Sequence, residues 1–172
     1  MKSVFRIAAS ALAVGFCLGV TGCGYFFGEE KRAKEEVPEN STWVFEKLME
    51  CRSTDDLNEK LVQQAGIFAS IIVQKYVHNP NSSNPLCAYI ECKDGEVMFY
   101  NYSKAPEGST KEYILEGKSI GTYDGKDITI TGGGFSGEVE ACVSEGYLYI
   151  SDVMSLSYGD LEYELAFQGG QQ

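Results

Sequence analysis

The chain has 172 residues, with 14 basic and 25 acidic side chains, a formal net charge of −11 and a hydrophobic share of 44%. That length suits one domain, with a core large enough to need no metal or covalent staple. So acidic a surface repels phosphate, which argues against nucleic-acid binding, and it would be repelled by anionic lipid headgroups as well.

Lys2 and Arg6 lead into an apolar run from Ile7 to Val20, followed by Thr21-Gly22-Cys23. A basic start, a short apolar core and a small-residue cleavage site make a secretory signal peptide. The run falls short of the roughly 18 to 20 residues of a spanning helix, and Gly15 and Gly19 interrupt it. Val20-Thr21-Gly22-Cys23 resembles the lipobox of bacterial lipoproteins. The resemblance implies removal of residues 1–22 and lipid attachment at Cys23, through a thioether-linked diacylglycerol and an amide-linked acyl chain. One acyl chain binds a membrane only marginally, whereas two or three hold a protein firmly. It also implies a place in the cell envelope, with the membrane as a partner. Gly24 stands where an acidic residue often retains such proteins at the inner membrane, so the outer membrane is expected; which side the domain faces is left open. Lys2 and Arg6 are the only charges before Cys23, so residues 23–172 carry 12 basic and 25 acidic side chains, a formal charge of −13.

Residues 23–40 are charged, poor in aliphatic side chains and interrupted by Pro38, which reads as a flexible tether. Its Tyr25-Phe26-Phe27 cluster suits the headgroup zone of a bilayer. A single β-rich domain is expected over residues 41–172. Thr42–Phe45 is a candidate first strand, although Val44–Cys51 could equally continue as helix.

Residues Ser53–Val77 form the one convincing helix. Ser53 or Thr54 can cap it, and Asp55 and Asp56 suit the positive end of its dipole. Leu57, Leu61, Ala65, Phe68, Ile72 and Tyr76 make one apolar stripe, widened by Val62, Ala69 and Val73. Amphipathic membrane helices carry a Lys/Arg-rich polar face. Lys60 and Lys75 stand nearly alone here, so the stripe is expected to pack on a sheet. His78-Asn79-Pro80 ends it.

From Leu86 onward the pattern is short β runs separated by turns. Leu86–Cys92 and Glu96–Tyr102 flank Asp94-Gly95, a strong hairpin signal. Thr110–Glu116 and Lys118–Tyr123 follow, and Asp124-Gly125 leads into Asp127–Thr131. Phe135–Val143 and Tyr147–Ser151 come next. In Leu161–Phe167 apolar residues alternate with Glu162, Glu164 and Ala166, which gives a strand one dry and one wet face.

With Cys17 in the signal peptide and Cys23 acylated, Cys51, Cys87, Cys92 and Cys142 remain as candidate disulfide cysteines, as expected of an exported chain. Three pairings are open. A zinc site is disfavoured, because there is no Cys-x-x-Cys pair and His78 is the lone histidine.

Gly132-Gly133-Gly134-Phe135-Ser136-Gly137 matches G-x-G-x-x-G, but such a site must open a helix. Here the strand-like Glu138–Val143 follows, so the glycines suit a turn or sharp bend. No serine sits in a nucleophile elbow, and there is no EF-hand spacing. Paired carboxylates for glycan hydrolysis are available by inventory alone. No cofactor or catalytic set is expected.

Ser41-Thr42-Trp43, a long helix, antiparallel strands and then Gly121-Thr122-Tyr123 before Asp127-Ile128-Thr129-Ile130 resemble the small lipocalin-like domains of bacterial lipoproteins. Ser41 stands where those domains usually have glycine. The resemblance covers about residues 41–168 and implies a mainly β, α+β fold. Its form would be a small antiparallel barrel of about eight strands, with the helix packed on it or capping it and Trp43 at the floor. The expected function is non-enzymatic: binding of a small apolar ligand or of an envelope partner. The alternative is an envelope glycan hydrolase.

Overall fold

The computed structural model describes residues 32–54, 59–135 and 139–170. It is mainly β with one helix. The elements are β1 (Ser41–Ser53), α1 (Glu59–Tyr76), β2 (Val77–His78), β3 (Leu86–Cys87), β4 (Tyr89–Lys93), β5 (Glu96–Lys104), β6 (Tyr113–Asp124), β7 (Asp127–Ile130), β8 (Glu140–Ser144), β9 (Tyr147–Leu156) and β10 (Gly159–Gly170). Eight strands form one antiparallel sheet in the order β7-β6-β5-β4-β1-β10-β9-β8, and β2 pairs with β3 apart from it. The sheet curls until β7 and β8 approach each other. This is a small, nearly closed eight-stranded barrel with one helix, the form that the resemblance implies.

Three tight turns gather at one end. Asp94-Gly95 and Glu145-Gly146 both have positive φ at their two central positions, the backbone that matches the twist of a two-residue hairpin. Gly125 supplies the positive φ of the third turn. Gly121 is needed for a different reason: a Cβ there would fall on the carbonyl oxygen of Thr129 in the neighbouring strand.

β1 is longer than expected. It stays extended to Ser53 and does not turn helical after Phe45, because it pairs with β10 from Thr42↔Gly170 to Ser53↔Leu161, with register shifts after Phe45 and Leu48. The two runs expected at Thr110–Glu116 and Lys118–Tyr123 are one strand, β6, continuous through Gly117. The ring of Tyr100 occupies the space a side chain at position 117 would take, with Cδ1 2.7 Å from where that Cβ would be. Glycine without a side chain of its own is covered by an aromatic ring across the pair.

β4 pairs with β1 only over Ser41–Val44. Beyond that point α1 fills the gap, packing on β1 and β10. Ala69, Ile72 and Tyr76 are buried and Val73 packs against the core, as the stripe predicts, but Val62 is 51% exposed. Asp55, Asp56 and Leu57 lie outside the described residues. No helix among the described residues is long and apolar enough to cross a membrane.

The middle of the barrel is filled. Tyr76 of α1 stacks on Phe45 at 5.1 Å between ring centroids and meets Phe99 and Phe167 edge-on. Beneath them Trp43 is buried and donates its Nε1–H to Ser41 Oγ at 2.9 Å. It lies against Gly169, where a Cβ would come within 2.6 Å of the indole. Trp43 is thus a packed core residue.

Residues 32–40, the end of the segment expected as a tether, are strapped along the seam between β8 and the turn end. Glu35 N–H donates to Val143 O and Val37 N–H to Gly125 O, both at 2.9 Å. Lys34 pairs with Asp127 at 3.3 Å. Glu35 accepts from the Glu145 N–H, and Glu39 from the Asp94 N–H and the Tyr123 hydroxyl. Val37 joins the core cluster. On the outer face the Arg32 guanidinium forks onto the Glu164 carboxylate and lies 3.8 Å from the centroid of the Tyr149 ring. Among the described residues, then, the contacts with the barrel extend back from Ser41 to Arg32.

Candidate functional site

A groove opens beside the C-terminal end of α1, with a volume of about 730 Å³. Lys75 and Tyr76 bound it from the helix, and Phe99, Asn101, Tyr102 and Ser103 from β5. Glu116, Gly117 and Lys118 bound it from β6, and Gly133 and Gly134 from the turn after β7. Strand alternation explains the composition. Lys118 is opposite Phe99 and Glu116 opposite Asn101, so each of these pairs shares the concave face with the buried Val97. The groove thus has an aromatic floor of Tyr76 and Phe99 and a polar rim.

Asn101 makes the wall rigid. Its Nδ2 donates to Lys75 O at 2.9 Å, capping a free carbonyl in the last turn of α1, while its Oδ1 accepts from the Tyr102 N–H at 2.9 Å. His78 Nε2 lies 3.0 Å from the same oxygen, so it must be the protonated nitrogen. The His78 ring also approaches Tyr102 and Tyr113. One asparagine therefore ties the helix end, the β2–β3 hairpin and β5 together.

Inside the barrel a polar trio lies near the ring cluster. The Tyr163 hydroxyl donates to Asp152 Oδ2 at 2.6 Å, and both residues are buried. Burial, then the hydrogen bond to Asp152, pushes the Tyr163 hydroxyl far above its ordinary range. Tyr76 is pushed up as well, by burial first and by the Asp152 carboxylate second.

The residues singled out by sequence scatter. Cys23, with its lipobox, lies outside the described residues. No disulfide joins Cys51, Cys87, Cys92 or Cys142 to one another among the described residues. Their placement gives the reason. Cys92 is in the core cluster, and Cys51 packs against that cluster within β1. Cys87 is half-buried in the small β2–β3 hairpin. Cys142 follows the inward Ala141 and precedes the inward Val143, so it points outward, near Arg32 and Glu164.

The described part of the glycine-rich motif, residues 132–135, follows β7 without helix; Gly133 and Gly134 form a positive-φ turn at the groove. Among the described residues that bound the groove Glu116 is the one carboxylate. The two buried carboxylates do not face each other. Tyr163 is opposite Asp152 and Glu164 opposite Ser151, which puts Asp152 on the inner face and Glu164 on the outer. No group of three or more His, Cys, Asp and Glu among the described residues is placed to hold a metal ion. Tyr76 was legible as part of the helix stripe, but its meeting with Phe99, Asn101 and Lys118 was not.

No family model, no curated protein and no solved structure matches the chain.

Proposed function

We propose that the protein is a membrane-anchored bacterial lipoprotein that binds without catalysing a reaction, holding a small ligand in the groove between α1, β5 and β6. The observation that carries this reading is the groove itself. Its volume of about 730 Å³ falls within the roughly 300 to 1,000 Å³ of small-molecule sites. Its aromatic floor and its rim of Lys75, Asn101, Ser103, Glu116 and Lys118 suit a ligand with one apolar part and one hydrogen-bonding part. A wholly apolar ligand buried in the barrel is disfavoured, because Phe45, Tyr76, Phe99 and Phe167 occupy that space. The lipobox at Val20–Cys23 supports the anchor, with the outer membrane as the expected site.

Glycan hydrolysis is the weaker reading. It needs two facing carboxylates about 5 to 10 Å apart, and the described residues of the groove include Glu116 alone. Contact with an envelope protein draws on the outer face of α1, where Ile67 and Ile71 are exposed.

Two measurements test the parts separately. Native mass spectrometry of the full chain, purified in mild detergent, is expected to show a bound mass that is lost on denaturation. Ser103→Trp, which fills the groove, should abolish it. A clean mass, or one that survives this substitution, refutes the binding site. Acyl labelling tests the anchor: Cys23→Ala is expected to remove the label, and retention of it refutes the lipoprotein assignment.

A further inference from the structure

β6 pairs with β5 over Tyr113–Thr122, but its other edge pairs with β7 only over Gly121–Asp124. Ile120 O takes the Thr131 and Gly132 N–H groups, the last backbone bonds to this edge among the described residues. From Tyr113 to Ser119 the far edge meets no strand among the described residues. Leu115, Glu116, Gly117, Lys118 and Ser119 are all exposed in consecutive positions, on both faces of the sheet. An open edge of this length is a template for another extended strand.

The residues on the edge specify which strand. Set antiparallel to itself about a two-fold axis through Gly117, the segment places Glu116 of one copy opposite Lys118 of the other, twice. Leu115 then lies opposite Ser119. Directly opposed unlike charges favour such a pair, and like charges oppose it. Charged side chains on an open edge commonly guard it against association. This one carries one charge of each sign, spaced so that the two-fold matches them.

We infer that the Tyr113–Ser119 edge is a homodimer seam, where β6 of two copies pair antiparallel and join two eight-stranded sheets into one. Such an isologous contact closes on itself and does not propagate. Glu116, Gly117 and Lys118 also bound the groove, so each copy adds a wall to the other's groove. The inference stands whatever the groove binds.

The test is sedimentation velocity with native mass spectrometry on the full chain in mild detergent. A dimer is expected. Lys118→Glu opposes like charges at two places and is expected to weaken the dimer on the order of tenfold. Adding Glu116→Lys to it should restore the affinity. Position 118 is exposed, and far-UV circular dichroism checks that each variant folds. A monomer at every soluble concentration overturns the inference. So does a dimer indifferent to Lys118→Glu, which would place the contact elsewhere, or a failure of the double exchange to restore it.

Discussion

Cys92 is fully buried between the turn end of the barrel and Trp43, and burial pushes its thiol up to about 11. Cys87 and Cys142 are raised by burial as well. A thiol so held is un-ionised near neutral pH, and the thiolate is the reactive form. Cys87, Cys92 and Cys142, none of which is bridged in the structure, should alkylate in the denatured chain without any reductant. In the folded chain Cys92 should react last, after global or local opening exposes it. Mass spectrometry after alkylation, with and without prior reduction, checks this. A chain that gains alkyl groups only after reduction would mean that the thiols are paired. The sequence expectation of disulfides rests on the lipobox, whereas the placement of the thiols rests on the strands. Cys92 faces into the core and Cys142 faces out, and alternation along a strand sets those directions.

At the scale of elements the strap and the hairpins behave differently. Arg32 reaches Glu164 from 132 positions away in sequence, and the Glu164 side chain is 4% exposed. Arg32→Ala would leave that carboxylate buried without its guanidinium, which costs about 3 kcal/mol for a pair of this kind. Urea denaturation should show the loss, and Arg32→Ala paired with Glu164→Ala should recover part of it. No loss in the single variant would mean that the strap adds nothing to the fold. Glu39 gives the strap a pH dependence. The Asp94 N–H, and after it the Tyr123 hydroxyl, hold its carboxyl below the usual carboxylate value. Its grip is complete above the unfolded value of about 4.3 and is lost as pH falls through the lower folded value. Glu39→Gln should flatten that part of the acid profile. Hairpins such as Lys93–Glu96 were legible, because Asp-Gly between alternating runs encodes the turn locally. The strap was not. It has few aliphatic residues and binds through backbone N–H groups and carboxylates, which composition reads as solvation. The groove was illegible for a related reason: α1, β5 and β6 each look ordinary, and only their meeting makes a site.

For the whole molecule, chain order and spatial order disagree at the centre of the sheet. β1, the first strand, lies between β4 and β10, and β10 is the last. The sheet cannot close around its core until the C-terminal residues arrive, because Phe167 and Leu165 of β10 pair with Phe45 and Leu48 of β1. Contacts of such long sequence separation must meet a loop-closure cost before any burial offsets it, which places β-rich domains in the range of about milliseconds to seconds. Stopped-flow refolding followed by Trp43 fluorescence should show a slow main phase. Deleting residues 159–172 removes β10, exposes the β1 and β9 edges and takes Leu161, Tyr163, Leu165 and Phe167 out of the core. That chain should lack cooperative unfolding and be degraded when expressed. Deleting the separate β2–β3 hairpin should be milder, since it stands outside the main sheet. A cooperative transition in the chain without β10 would mean that β4–β7 with α1 can fold alone. In that case the central pairing of β1 with β10 would be a late docking step and not the event that forms the core.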